Sequence, residues 1–194
     1  SKLKAIDVGK PLPLQEPYES DTLDLSNVGM DPGHVLLLSW WLTTEFSAAV
    51  VTSINCLANN FGDDDLATLL TAIEGTSVRS LCGLTEGQTT ADFSGQNLGP
   101  IDVKIMAAEY GFQGFIAAVA RLTLSGNAIT NYGKDLSGLK ALCEVLPSLK
   151  NPISLDLGHC YFKVAEVNEL AKAIDGGTML QVVAIGGNPI TSEG

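Results

Sequence analysis

Apolar and polar residues alternate along this chain in two rhythms. Short apolar–x–apolar pairs occur at Leu23-Asp-Leu25, Ile54-Asn-Cys56, Leu122-Thr-Leu124, Leu155-Asp-Leu157 and Val183-Ala-Ile185. A period of two sends both members of a pair to one face of a strand, so each pair predicts a short β-strand with one buried side. Three positions after the second member stands Val28, Asn59, Asn127, Cys160 or Asn188. Two further on stands an apolar Met30, Phe61, Ile129, Phe162 or Ile190. Registers that agree at several positions mark an internal repeat.

Between the strands the period changes. Seven, ten, eleven and fourteen positions after Asn59 come Leu66, Leu69, Leu70 and Ile73. The same offsets from Cys160 give Val167, Leu170, Ala171 and Ile174, and from Gln96 they give Val103, Met106, Ala107 and Tyr110. An i, i+3, i+4, i+7 series is one face of an α-helix. Each unit therefore reads as strand, turn and helix, and none can bury its apolar face alone.

These residues resemble the leucine-rich repeat family, in particular its ribonuclease-inhibitor-like class with a full helix per repeat. The likeness is carried by Leu122-Thr-Leu124-Ser-Gly-Asn127-Ala-Ile129 and by the Cys variant Leu155-Asp-Leu157-Gly-His-Cys160-Tyr-Phe162. Spacings of 27 residues from Ile54 to Leu81 and 28 from Leu155 to Val183 fit the longer repeats of that family. The resemblance covers Leu23 to the C-terminus. It implies an α/β solenoid, a horseshoe of about six repeats with a parallel sheet on the concave face and helices on the convex face. It also implies a structural ladder in which Asn59, Asn127, Cys160 and Asn188 hydrogen-bond neighbouring backbones inside the turns, with Val28 and Gln96 as breaks.

The chain departs from the repeat in places. Val78-Arg-Ser-Leu81-Cys-Gly83 reads as the third strand, and Leu84 to Ala91 reads as an inserted loop before Asp92-Phe-Ser-Gly-Gln96-Asn-Leu98 resumes the turn. That insert is similar to one in leucine-rich repeat proteins of unicellular algae and other protists. Residues 1–21, Pro-rich from Val8 to Pro17, read as an extended capping segment, and residues 22–194 as the repeat domain with an incomplete last repeat. At Gly194 either the parent chain continues or a partner covers the end.

Composition narrows the partners. Eleven Lys+Arg against 22 Asp+Glu give a net charge of −11 and a pI near 4.4, which repels phosphate backbones and anionic headgroups. Nucleic acid is therefore not an expected partner. The most apolar run, Val35 to Leu42, is far shorter than the roughly 20 residues of a spanning helix, and the first residues lack the apolar core of a secretory signal. No direct membrane insertion is expected. Four cysteines without CxxC spacing or a close His/Cys cluster argue against a zinc knuckle or redox motif; a soluble protein of a reducing intracellular compartment, cytosol or organelle, is the expectation.

Catalytic constellations are not legible. Cys160, beside His159, falls at an inward ladder position, and Cys56 and Cys143 fall on core registers. Cys82 is expected on the concave face as the accessible thiol. Asp63-Asp64-Asp65 precede a helix and read as caps at its positive end. No cofactor, metal site or active site is expected, and the protein reads as a non-enzyme.

Binding candidates come from two surfaces. The strand residues that face outward are small and weakly charged; Asp24, Asn55, Arg121 and Asp156 are the polar ones singled out, and Arg121 alone is a usual hot-spot type. In the first helix the repeat assigns Val35, Leu38 and Leu42 to the core. Leu36, Leu37, Trp40 and Trp41 are then surplus apolar residues on its outer faces, where the second helix has Ala67, Thr68, Thr71 and Ala72. They form either a contact site or a surface covered by Lys4 to Pro17 folding back. Phe112, Phe115 and Ile116 offer a second patch or further core. The resulting expectation is a protein–protein interaction module, a scaffold or accessory subunit of a larger assembly with protein partners; the alternative is the recognition part of a longer receptor, sensor or inhibitor.

Overall fold

The computed structural model describes residues 3–47 and 50–191. It contains eight strands and five α-helices among those residues, and the chain divides into two compact units, Ser1–Thr85 and Glu86–Gly194.

The first unit opens with an antiparallel hairpin, β1 (Ala5–Asp7) and β2 (Pro11–Pro13). Asp7 turns it by accepting from Gly9 N at 2.8 Å, and Val8 and Leu12 are fully buried. β3 (Thr22–Asp24) and β4 (Ser53–Asn55) then pair in parallel with Leu23 opposite Ile54. Each is followed by a helix, α1 (Pro32–Leu42) and α2 (Asp63–Ile73), and the two helices pack on one another. Leu66, Leu69 and Ile73 are the buried face of α2, as its apolar period requires.

The second unit holds a four-stranded parallel sheet in the order β5 (Thr90–Asp92), β6 (Arg121–Thr123), β7 (Ile153–Asp156), β8 (Leu180–Ala184). Ala91, Leu122, Leu155 and Val183 lie side by side across it. Helices α3 (Pro100–Gly111), α4 (Ser137–Val145) and α5 (Val164–Asp175) connect the strands. On α3, Val103, Met106, Ala107 and Tyr110 are all buried. On α5 the buried residues are Glu166, Leu170 and Ala173, whereas Ile174 is exposed, so the apolar period of this helix is only partly used.

One turn is built repeatedly. The residue before each ladder position has positive φ: Asn27 (51°), Ala58 (58°), Gly95 (60°), Gly126 (74°), His159 (52°) and Gly187 (70°). That left-handed residue turns the strand sharply, so that the next side chain points back under the strand ends. Asn59 exploits this position. Its Oδ1 accepts from Met30 N at 2.9 Å, and its Nδ2 donates to Leu25 O at 2.7 Å and Cys56 O at 3.0 Å. Asn127 repeats the scheme with Leu98 N at 3.0 Å, Phe93 O at 2.8 Å and Leu124 O at 2.9 Å. Asn188 does so with Phe162 N, Leu157 O and Ile185 O. Cys160 Sγ donates to Leu124 O at 3.3 Å. Buried backbone groups that no strand or helix can reach are thereby paired.

The expected horseshoe with one continuous parallel sheet of about six repeats is not what forms. The strands belong to three separate sheets, one of them the antiparallel hairpin, in a mixed α/β chain of two units. The departure begins at the third expected strand. Val78–Gly83 forms no regular strand; it bonds β4 through Ile54 N to Ser80 O at 2.8 Å and Gly83 N to Ile54 O at 2.9 Å, with Ser53 beside Ser80 in parallel and Asn55 beside Cys82 antiparallel. Ser80 Oγ accepts from Cys82 N at 3.1 Å and Leu84 N at 3.0 Å, which diverts those amides from a ladder. The strand that enters the second sheet is Thr90–Asp92, so the insert expected over 84–91 ends within β5. Residues 192–194 of the last turn lie outside the described residues, as do 1–2 of the capping segment.

Candidate functional site

The candidates on the strands have structural duties. Asp24 Oδ1 accepts from Ser26 N at 3.0 Å and from Ser26 Oγ at 2.7 Å, and Lys10 Nζ lies 3.9 Å from Oδ2. Partial burial pushes the Asp24 carboxyl up, but the Ser26 bonds and Lys10 outweigh it and hold the group below its ordinary value. Asn55 Oδ1 accepts from Leu57 N and Asp156 Oδ1 from Gly158 N at 2.9 Å. Each side chain bonds the backbone two residues on, the local turn that Asp and Asn favour. Asp24 and Asn55 are register partners and line a pocket of about 330 Å³ with Thr22, Ser53 and Gly83. Arg121 is exposed at the start of β6, two positions out of register with Asp156 on β7. The four therefore fall into two pairs, one in each unit.

Cys82, expected to be accessible, is buried, as are Leu57, Ser53 and Ser80. The Val78–Gly83 segment bridges β4 along Ser53–Asn55 instead of leaving that strand's edge open. All four cysteines are buried, and none is in a disulfide. Burial first, then Glu169 and Glu144, pushes Cys143 up to about 11, and burial raises Cys160 too, so neither is a ready nucleophile at neutral pH. Among the described residues no group of three or more His, Cys, Asp or Glu side chains is placed to hold a metal ion.

The acidic residues near helix starts are likewise committed. Asp65 accepts from Gly62 N at 2.9 Å, Asp102 from Gly99 N at 2.7 Å and Glu166 from Lys163 N at 2.9 Å. Each satisfies an amide that the helix leaves over. At α1, Asp31 Oδ1 accepts from His34 N at 3.0 Å, and this bond chiefly holds the Asp31 carboxyl below its ordinary value.

The first helix separates its two tryptophans. Trp41 is fully buried: its Nε1 donates to Pro13 O at 2.9 Å, and its ring meets Tyr18 edge-on at 5.6 Å between centroids. It anchors the N-terminal hairpin and is not part of a surface, which corrects its assignment to the outer patch. Leu36 (61% exposed), Leu37 (42%) and Trp40 (51%) do stand in solvent. Covering by the N-terminal segment and surface exposure therefore both occur, on different sides of one helix. Phe112 and Phe115 are half-buried and Ile116 is buried, so they add little to any surface.

One exposed feature escaped the sequence reading. Tyr132 and Tyr161 meet with rings tilted at 58° and centroids 4.8 Å apart, both exposed and both at positive φ. Tyr161 precedes Phe162 in the ladder turn, but Tyr132 lies in the irregular stretch before α4, where no period predicts its position.

No family model matches the chain, and no curated protein sequence matches it either. Among the described residues no helix is long and apolar enough to cross a membrane.

Proposed function

We propose that the chain is a non-enzymatic protein-interaction module, a scaffold or accessory subunit that binds a protein partner through the outer face of α1. The observation that carries this reading is the exposure of Leu36, Leu37 and Trp40 together on one helix. Trp is a preferred residue of binding hot spots, and adjacent apolar side chains left in water cost free energy that a partner recovers. Asp24, Asn55 and Asp156 are occupied by turn bonds, which favours α1 over the strand residues as the contact. Kinship with leucine-rich repeats is proposed for the turn alone; the bonds of Asn59 and Asn127 support it. Residence in a reducing intracellular compartment is proposed with it, supported by four unbridged thiols.

The test is affinity capture from the native source with the wild type and a Leu36→Asp/Trp40→Asp variant, both checked for folding by circular dichroism. A specific protein band lost with the variant is the expected result. Identical bands from both would remove α1 as the contact surface.

A further inference from the structure

Resting on the α1 reading, the charge around that helix specifies its partner. Between Lys10 and Arg79 the sequence contains ten acidic residues and no Lys or Arg. This stretch includes α1 and α2 entire. Asp31 caps α1, and Asp63 and Asp64 are exposed in the first turn of α2. The two helix starts are neighbours, since Asn60 N donates to Met30 O at 2.9 Å just before them. At the other ends stand Glu45 and the exposed Glu74, with no basic residue in the last turn of either helix.

We propose that the Leu36/Leu37/Trp40 face of α1 is the docking site for a basic amphipathic helix of another protein. The apolar stripe of that helix would cover the three side chains, and its Lys or Arg residues would meet the acidic ends of α1 and α2. At the equivalent exposed positions α2 has the small Ala67 and Thr71, so the large apolar side chains are on α1. A second copy of this chain would bring acidic ends against acidic ends, and an anionic membrane surface would be repelled for the same reason.

Two designed helical peptides of about 18 residues, or five turns, test this: one leucine stripe in both, with a polar face of lysine in one and of glutamate in the other. Each is titrated into wild type, Leu36→Asp/Trp40→Asp and Asp63→Lys/Asp64→Lys/Glu74→Lys, following calorimetric heat in all three and the emission of the exposed Trp40 in the two that retain it. The lysine peptide is expected to bind the wild type saturably with a blue shift. Binding weakens at least about tenfold, a 1.4 kcal/mol effect, in both variants, and the charge-reversed variant prefers the glutamate peptide. Trp40→Ser provides the same comparison if the double variant loses its native circular dichroism.

Absence of saturable lysine-peptide binding overturns the proposal, as does lysine-peptide binding indifferent to Leu36 and Trp40. Patch-dependent binding of the glutamate peptide at equal strength overturns the partner's charge alone and leaves the interaction reading standing. Loss of that reading itself shows in the capture experiment, as bands unchanged by Leu36→Asp/Trp40→Asp.

Discussion

Asn59 in the first unit and Asn127 in the second make almost the same bonds in almost the same turn, yet they stand in different company. Asn127 shares its sheet with further inward turn residues, Cys160 and Asn188, each reaching back to the preceding strand. The equivalent position before Asn59 is Val28, which has no amide to offer. There the hairpin approaches instead: a Cβ on Gly9 would overlap the Val28 side chain, and Trp41 ties β2 to α1. A polar turn can be repeated as long as each has a neighbour. Where the series stops, apolar packing takes over, and in the first unit that packing is supplied by a separate hairpin.

The largest effect should come from breaking that closure. Trp41→Ala removes a fully buried indole and its bond to Pro13 O, and it should cost about 4 kcal/mol in urea unfolding. Trp40→Ala, one residue away, should change stability by less than about 0.5 kcal/mol. Near-equal values would mean that the hairpin does not depend on Trp41.

A smaller loss follows from removing the turn amide. Asn127→Ala leaves Leu98 N, Phe93 O and Leu124 O without their partner, at a cost of about 3 kcal/mol. Asn59→Ala is expected to match it, with hydrogen exchange rising in β3 and β4 instead of β5 and β6. A loss below about 1 kcal/mol for Asn59→Ala alone would show that the hairpin already secures the first unit.

The finest comparison concerns the residue before each asparagine. Ala58 holds a left-handed conformation that costs a residue with a Cβ about 1 kcal/mol, whereas Gly126 adopts it freely. Ala58→Gly should therefore raise the unfolding midpoint and Gly126→Ala lower it, by similar amounts. Opposite signs from one left-handed position would isolate backbone strain, because an added Cβ at Gly126 meets only ordinary contacts with Gly95.

Much of the local structure was legible because it is periodic. The first members of the pairs, Leu23, Ile54, Leu122, Leu155 and Val183, all fall in strands with the second member one residue past each strand's end, and the offsets from Asn59 and Gln96 find the buried faces of α2 and α3. Ala91-Asp92-Phe93 carries the same alternation, yet Leu81 offered a rival at a better spacing, and only the pairing of β5 with β6 decides between them. The candidate site was legible in part. The repeat offsets set Leu36, Leu37, Trp40 and Trp41 apart from the core face of α1, and the first three are exposed whereas Trp41 is buried.

Sequence alone determined where five of the strands, the buried faces of α2 and α3 and the asparagine turns lie, because these depend on side-chain spacing within a few residues. Tertiary structure decided that the sheet divides, that Cys82 is buried and that two adjacent tryptophans have opposite fates. Each of those outcomes depends on which distant segment arrives to pair or pack: Thr90–Asp92 pairing with β6, Ser80 and Cys82 lying against β4, and Pro13 and Tyr18 closing over Trp41 while Trp40 stays in water.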